Sequence, residues 1–337
     1  MSNLTSYVCE ILIDGILHGK YLPGDRLLAE REFAEAHSVS RITVRRAFAR
    51  LEEAGILVRK RPFGTYVADK FHAHSGDLKS IGLITALSND FSGSFIQEVS
   101  SCCEKEDILL ALGIPEQNTL EYQLKIAVRM ASRGVKNLIV WGAGKGEGLE
   151  VFKRLRILGV NLVFYDQVIP GDFADYVGLD NKFAMESIFE AALKCGRKNF
   201  IFLNYSDLEI DSADEREKTF KHCLLHSGMP GEIIKISFSA PAAEKKKYAE
   251  IIKEKMNEDT ALIAMNAPLL CDVFHSAPPY GALFCIDYTP LLEEINATGF
   301  AQPIRAMAFE AVDMLKKQCA KGKKWHPVCH FFKGTVI

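Results

Sequence analysis

Three arginines crowd one short segment of this chain, Ser40-Arg41-Ile42-Thr43-Val44-Arg45-Arg46-Ala47-Phe48. Arg41 and Arg45 are four residues apart, so on a helix they point the same way. Over residues 41–61 there are seven basic side chains (Arg41, Arg45, Arg46, Arg50, Arg59, Lys60 and Arg61) against Glu52 and Glu53. Guanidinium groups grip phosphate, or the edge of guanine, with paired hydrogen bonds. The chemistry on offer is therefore recognition of a polyanion, duplex DNA above all. The chain as a whole carries a net charge of −2. The cationic footprint is thus local rather than global.

The elements that must carry these arginines read as a small helical unit. Val8, Ile11, Leu12 and Ile16 recur at helical spacing, and Gly19 can end that helix. Pro23-Gly24-Asp25 is a turn signal. Residues 29–37 read as a second short helix. Ser40 can cap a third helix at its N-terminus. In that third helix Val44, Ala47, Phe48 and Leu51 follow the i, i+3, i+4, i+7 rule, leaving the arginines off the buried stripe. From Ile56 to Ala68 the period changes to that of two short strands, joined at Arg61-Pro62-Phe63-Gly64 in a hairpin with a basic tip.

Three helices followed by a hairpin is a winged helix-turn-helix, whose third helix enters a major groove. The run PGDRLLAEREFAEAHSVSRITVRRAFARLEEAGILVRKRPFGTYVA resembles the DNA-binding domain of GntR-type transcription regulators, over roughly residues 5–68. In that family, arginines at the positions matching Arg31, Arg41 and Arg45 contact the operator. Residues matching Ser40 and Thr43, and the wing glycine, here Gly64, assist them. Arg46 joins this candidate set. Leu28 stands where the family usually has proline.

Residues 69–79 are polar and patternless, a linker, and its His72-x-His74 is read as polar filler. From residue 80 short apolar runs alternate with helical patterns: 81–87, 108–112, 137–142, 161–165, 199–203, 261–265 and 282–286. Runs this apolar suit strands buried on both faces, and the helices between them make βαβ units. The expected fold is α/β: the winged helix-turn-helix of residues 1–68, then, over residues 80–337, two lobes of doubly wound parallel sheet.

Residues 80–337 resemble the effector-binding domain of LacI/GalR-type regulators, itself built like periplasmic sugar-binding proteins. The segments that carry the likeness include KSIGLITALSNDFSGSFIQEV, NLVFYDQVIPGDFADYVGLDNKFAM, SADEREKTFKHCLLHSGM, ALIAMNAPLL, LFCIDYTP and GFAQP. The resemblance implies a small effector, a sugar first of all, held between the lobes. It names Ser88, Asn89, Phe95, Asp166, Arg216, Asn266, Asp287 and Gln302 as contacts. An aromatic ring from among Phe91, Phe95, Tyr165 and Tyr288 would stack on the sugar. Ala267 and the pair Cys285-Ile286 depart from the usual pattern.

Other signals are set aside. The stretch from Trp141 to Gly148 fits neither glycine-rich nucleotide motif and reads as a loop. His326, Cys329 and His330 would be splayed by a strand, so no metal is assigned. No catalytic residue and no cofactor is assigned either. Nine cysteines without a C-x-x-C pair suit reduced thiols, and with no signal peptide the expected compartment is cytoplasmic. No run of about 18 apolar residues suggests a membrane span. The expectation is a homodimeric transcription regulator, a repressor of carbohydrate-utilisation genes, with operator DNA and a sugar as partners. The alternatives keep this architecture. In one the ligand is a nucleobase or an amino acid. In the other the chain is a sugar-binding protein or enzyme that ignores DNA.

Overall fold

Amphipathic helices build the first domain. The computed structural model describes residues 2–337 other than 71–72, 88–89, 144–148, 168 and 209. Helix α1 spans Ser2–Leu17, α2 Glu30–Ala36 and α3 Arg41–Glu53. Val8, Leu12 and Ile16 of α1, Phe33 of α2, and Val44, Phe48 and Leu51 of α3 share one core. Phe33 and Phe48 meet edge-on with ring centroids 5.6 Å apart. Ser40 caps α3, its hydroxyl accepting from the Thr43 N–H at 3.1 Å. Strands β1 (Leu57–Lys60) and β2 (Gly64–Val67) pair antiparallel, with Lys60 opposite Gly64. Gly64 has φ of 120°, a conformation that side-chain-bearing residues rarely adopt.

The second part alternates strand and helix. Its first half is β3 (Ser80–Ile84), α4 (Asp90–Lys105), β4 (Leu109–Gly113), α5 (Leu120–Ser132), β5 (Asn137–Val140), α6 (Leu149–Ile157), β6 (Asn161–Tyr165) and β7 (Asp175–Leu179). Then come α7 (Asn181–Lys194), β8 (Asn199–Tyr205), α8 (Asp211–Ser227), β9 (Gly231–Ile236), α9 (Ala242–Lys255), β10 (Thr260–Ala264) and α10 (Ala267–Val273). The chain continues through β11 (Ala282–Ile286), α11 (Leu291–Glu294), β12 (Ala297–Ala301), α12 (Ile304–Lys321), β13 (Cys329–Phe332) and β14 (Thr335–Val336).

Two six-stranded sheets result, ordered β13-β7-β6-β5-β3-β4 and β14-β12-β11-β10-β8-β9. Every pairing in them is parallel except β14 on β12. The chain passes between lobes after β7, after β12 and between β13 and β14. At the last crossing Gly334 lies so close to the Ala301 carbonyl that a Cβ would sit 2.1 Å from its oxygen. The strands β5, β6, β7 and β10 are buried at every residue, and apart from β7 each is apolar after a polar first residue. No described helix is long and apolar enough to cross a membrane.

The link between the domains differs from the expectation. Residues 73–79 form no helix or strand, yet they are docked. Ala73 is 3% exposed. The His74 N–H donates to Asn161 Oδ1 at 2.9 Å, and Asn161 Nδ2 donates back to the His74 carbonyl at 2.9 Å. The His74 ring bonds the Arg156 carbonyl at 3.0 Å. His74 is therefore an anchor, not filler, while His72 lies outside the described residues. Ile157, at the end of α6, joins the core of the first domain. Beneath the linker, Arg156 is wholly buried. Its Nη1 donates to Gln318 Oε1 at 2.7 Å, and its guanidinium lies 4.1 Å from the Trp325 ring centre. Burial pushes its pKa down to about 9.

Asn161→Ala removes two of the linker's hydrogen bonds and, with them, those Asn161 makes to buried Arg156 and Asn137. Each orphaned group costs about 1–3 kcal/mol. Urea denaturation should register that loss. Limited proteolysis should cut the variant between the domains faster than the parent.

Candidate DNA interface and effector cleft

Helix α3 presents its arginines outward. Arg45 and Arg46 are exposed on the face opposite Val44, Ala47 and Phe48. Arg41 is 3.5 Å from Glu30, and Arg31 is 3.0 Å from Glu35. Both arginines are themselves exposed, though Glu30 is half-buried, so their side chains remain available to a stronger anion. Arg59 behaves differently. It is held between Glu30 at 3.3 Å and Glu52 at 3.0 Å, which ties the wing to α2 and α3. A concavity of about 580 Å³ separates the wing from α2 and the start of α3, lined by Arg26, Arg31, Arg41, Arg59, Arg61 and Gly64 among others. Arg26 was not singled out from the sequence, since it stands alone after a turn. Its neighbour is the wing: a Cβ on Gly64 would lie 3.1 Å from its Nε. Ser40 and Thr43 bond each other at 2.8 Å at the mouth of α3, so their first role is to shape the helix start.

The second site lies where carboxyl ends of strands from both sheets face each other, the expected place for a ligand in open α/β sheets. A cleft of about 280 Å³ is lined by Asp166, which follows β6, by Arg216 of α8, by Asn266 after β10, by Asp287 after β11 and by Gln302 after β12. All five were expected from the sequence. Ser88 and Asn89 lie outside the described residues, as does the glycine-rich stretch 144–148. Phe95 is not part of the wall. It is wholly buried and stacked face to face on Tyr165, centroids 3.9 Å apart, because the inward face of α4 packs against the sheet. Tyr165 is buried with it, its hydroxyl donating to Thr85 at 2.6 Å. The aromatic groups that reach the cleft are Phe91, Trp141, Tyr205 and Phe238.

Trp141 was missed. It stands just past β5, where the strand run 137–142 meets the stretch read as a loop, and its indole N–H donates to Asp166 Oδ2 at 2.9 Å. Gln167 also donates to that oxygen at 2.9 Å, and its own carbonyl oxygen is buried without a partner. Asp166 and Asp287 both have positive φ, 60° and 91°. Non-glycine residues pay of order 1–3 kcal/mol for such backbone, and they gather at functional sites.

Arg216 lies inside α8 rather than at its junction with the preceding loop. Its Nε donates to Asn181 at 2.8 Å and its Nη1 to the Met265 carbonyl at 2.7 Å, so two of its nitrogens are already engaged. Burial lowers its pKa, while Asp287 and Asp166 favour its charge. Asp287 accepts from Gln302 Nε2. Burial raises its pKa to about 6, in spite of Arg216 and Gln302, which act the other way. Asn266 uses its oxygen to cap α10, accepting from Leu269 N–H at 3.0 Å. The site holds hydrogen-bond acceptors and donors beside aromatic faces, the make-up of a polyol pocket.

Among the described residues, no group of three or more His, Cys, Asp or Glu could hold a metal. Cys329 and His330 are neighbours on β13, and His330 lies 3.5 Å from Glu310.

With this geometry in view, residues 4–67 match the family model described as bacterial regulatory proteins, gntR family. The amino-terminal domain is of the GntR type. One relative of this GntR-type domain is the arabinose metabolism transcriptional repressor of Geobacillus stearothermophilus. It is 31% identical over 80 residues, which make up 24% of this chain and 22% of that protein. A second, the HTH-type transcriptional regulator GgaR of Escherichia coli K12, is 45% identical over 58 residues, 17% of this chain and 21% of that protein. The chain thus matches only about a fifth of the length of these curated relatives.

The remainder is similar in fold to solved structures at low sequence identity. A periplasmic binding protein/LacI transcriptional regulator from Alkaliphilus metalliredigens, complexed with D-xylulofuranose, superposes with a TM-score of 0.64 at 14% identity, over 77% of this chain and 97% of that one. The transcriptional regulator CelR, in complex with cellobiose, gives 0.65 at 13% identity, over 92% of this chain and 98% of that one. Behind the GntR-type domain, the two lobes thus have the periplasmic-binding-protein fold.

The raised pKa of Asp287 has a definite sign. A carboxyl whose pKa is higher folded than unfolded favours folding while protonated, and that advantage fades as pH rises from 3.8 to about 6. Above that window its ionisation costs about 3 kcal/mol. Asp287→Asn should therefore melt higher than the parent at pH 8, with the difference vanishing near pH 4. Thermal denaturation of the two chains across that range checks it.

Proposed function

We propose that this chain is a transcription regulator that binds operator DNA through residues 1–68 and a small sugar through residues 80–337, with 69–79 between them. It represses genes for carbohydrate use and acts by binding rather than turnover. One observation carries the reading. A GntR-type domain with Arg41, Arg45 and Arg46 outward is joined to a periplasmic-binding-type sensor whose cleft sets Asp166, Asp287 and Gln302 against Trp141 and Phe91. Carboxylates and amides meet sugar hydroxyls, and an aromatic face covers the sugar's C–H surface. The relatives and fold neighbours with arabinose, xylulofuranose or cellobiose in their names point the same way.

The proposed assembly is a homodimer, which a two-fold operator would match. What supports it is the outer edge of the first lobe. Strand β4 closes that sheet, and Leu109, Leu112 and Ile114 stand exposed along it, Leu109 at 68%. Apolar side chains on an unpaired edge favour a partner. Sugar binding would favour one arrangement of the lobes. The first lobe holds the head through Ile157 and the linker through Asn161, so a change in the lobes reaches the spacing of the two heads. A coupling of about 1–3 kcal/mol is usual for such linkage.

Arg45→Ala should weaken binding to a duplex selected from random-sequence DNA by about 1–3 kcal/mol if it reads a base, while a sugar still raises the melting temperature as in the parent. Asp166→Ala should do the reverse. Gel-shift titration and thermal shift on both variants check this. Unchanged DNA affinity in Arg45→Ala would count against the interface, and full sugar response in Asp166→Ala against the cleft.

A further inference from the structure

We infer that Trp141 is a positioning residue that sets the specificity of the sugar site: it fixes the Asp166 carboxylate so that a single oxygen meets a single hydroxyl of the sugar. This rests on the sugar reading of the cleft and narrows it. The indole N–H donates to Asp166 Oδ2 at 2.9 Å, and Gln167 Nε2 donates to the same oxygen at 2.9 Å. Two donors on one carboxylate oxygen take up its lone pairs. Among the described residues, none donates to the other oxygen, Oδ1. Trp141, Asp166 and Gln167 all line the 280 Å³ cleft. A carboxylate with both oxygens open can accept from both hydroxyls of a vicinal diol. With Oδ2 filled, this one accepts from one hydroxyl, at Oδ1.

Asp166 is held in that orientation through its main chain as well. Its N–H donates to the Val177 carbonyl at 2.9 Å, and its carbonyl accepts from the Tyr176 hydroxyl at 3.0 Å. Both partners belong to β7. Trp141 is anchored in turn. Its main-chain N–H donates to the Ile84 carbonyl at 2.9 Å, and its carbonyl accepts from Gln123 Nε2 at 2.8 Å. Gln123 of α5 is wholly buried, and its Oε1 accepts from the Ala143 N–H at 3.1 Å. One buried amide thus clasps the chain on both sides of Gly142, and the indole reaches Asp166 from a fixed base. A group already held in its bound geometry loses less freedom when the ligand arrives. The ring face of Trp141 serves as a wall for the sugar, and its N–H aims the acceptor.

Calorimetric titration of the full chain tests this. The probes are arabinose, xylose, glucose and galactose and, for the sugar that binds, its monodeoxyfluoro analogues. Fluorine takes the place of a hydroxyl but has no hydrogen to donate. Trp141→Phe keeps a ring and removes the N–H, and Gln167→Met removes the other donor to Oδ2. Each variant should bind the unmodified sugar about tenfold more weakly than the parent chain does. For the one analogue fluorinated where the sugar meets Asp166, that loss should disappear, and for the other analogues it should persist. A residue that acts only as wall or support does not give this pattern, because its loss falls on every analogue alike. Either variant suffices if the other fails to fold. Undiminished sugar binding in the folded variants, the same loss for every analogue, or its disappearance at two neighbouring positions would overturn this inference and leave the sugar reading intact. No binding of any of the four sugars to the parent chain would sink the sugar reading and this inference with it.

Discussion

Arg216 carries its guanidinium to a place where only 3% of its surface meets water. Burial works against that charge. What retains it is the company it keeps. Asn181 and the Met265 carbonyl take up two of its nitrogens, and Asp287 and Asp166 face it as counter-charges. Asp166 follows β6 in one lobe and Asp287 follows β11 in the other, so the field of one cation spans the cleft. The arrangement is not self-sufficient. Asp287 still prefers its proton up to about pH 6, and the carbonyl oxygens of Gln167 and Gln302 lack donors. A cleft left short of hydrogen-bond donors, with both aspartates on strained backbone, suits a ligand that brings donors of its own.

The route from this cleft to the head is short in sequence. Arg156 and Ile157 end α6, and Asn161 opens β6, which runs to Tyr165 and Asp166. Within these few residues Ile157 packs into the core of the GntR-type domain, Asn161 holds the linker at His74, and Asp166 faces the ligand space. Beneath them a buried polar network joins Arg156, Gln318, Asp175 and Trp325. Such a network is costly to break once formed, because every member orphans its neighbours. It ties the end of α6, the last long helix and Trp325 together beneath the linker.

The winged helix was legible because its signals are local. A cap at Ser40, a stripe of Val44, Ala47, Phe48 and Leu51, and a glycine-tipped hairpin each act over a few residues. Central strands were legible for a similar reason, as strands covered on both faces are apolar along most of their length. The period alone missed β9, which lies at a sheet edge with its first residues exposed, and β14, two residues long. It also missed β7 and β12, whose runs are broken by polar residues or glycine, whereas a strand at Cys329 and His330 was expected and is β13.

The chain's own sequence thus determined the helices of the head and the central strands, the outward arginines and, through resemblance, five of the cleft residues. The reason is that helical and strand periods are set by covalent geometry and need no distant partner. Tertiary structure alone decided that Phe95 belongs to the core, that Trp141 bonds Asp166, and that His74 is clamped by Asn161. These facts depend on which strand ends the sheet order brings together, and on how a helix face meets its sheet. Neither is written in the spacing of any single segment.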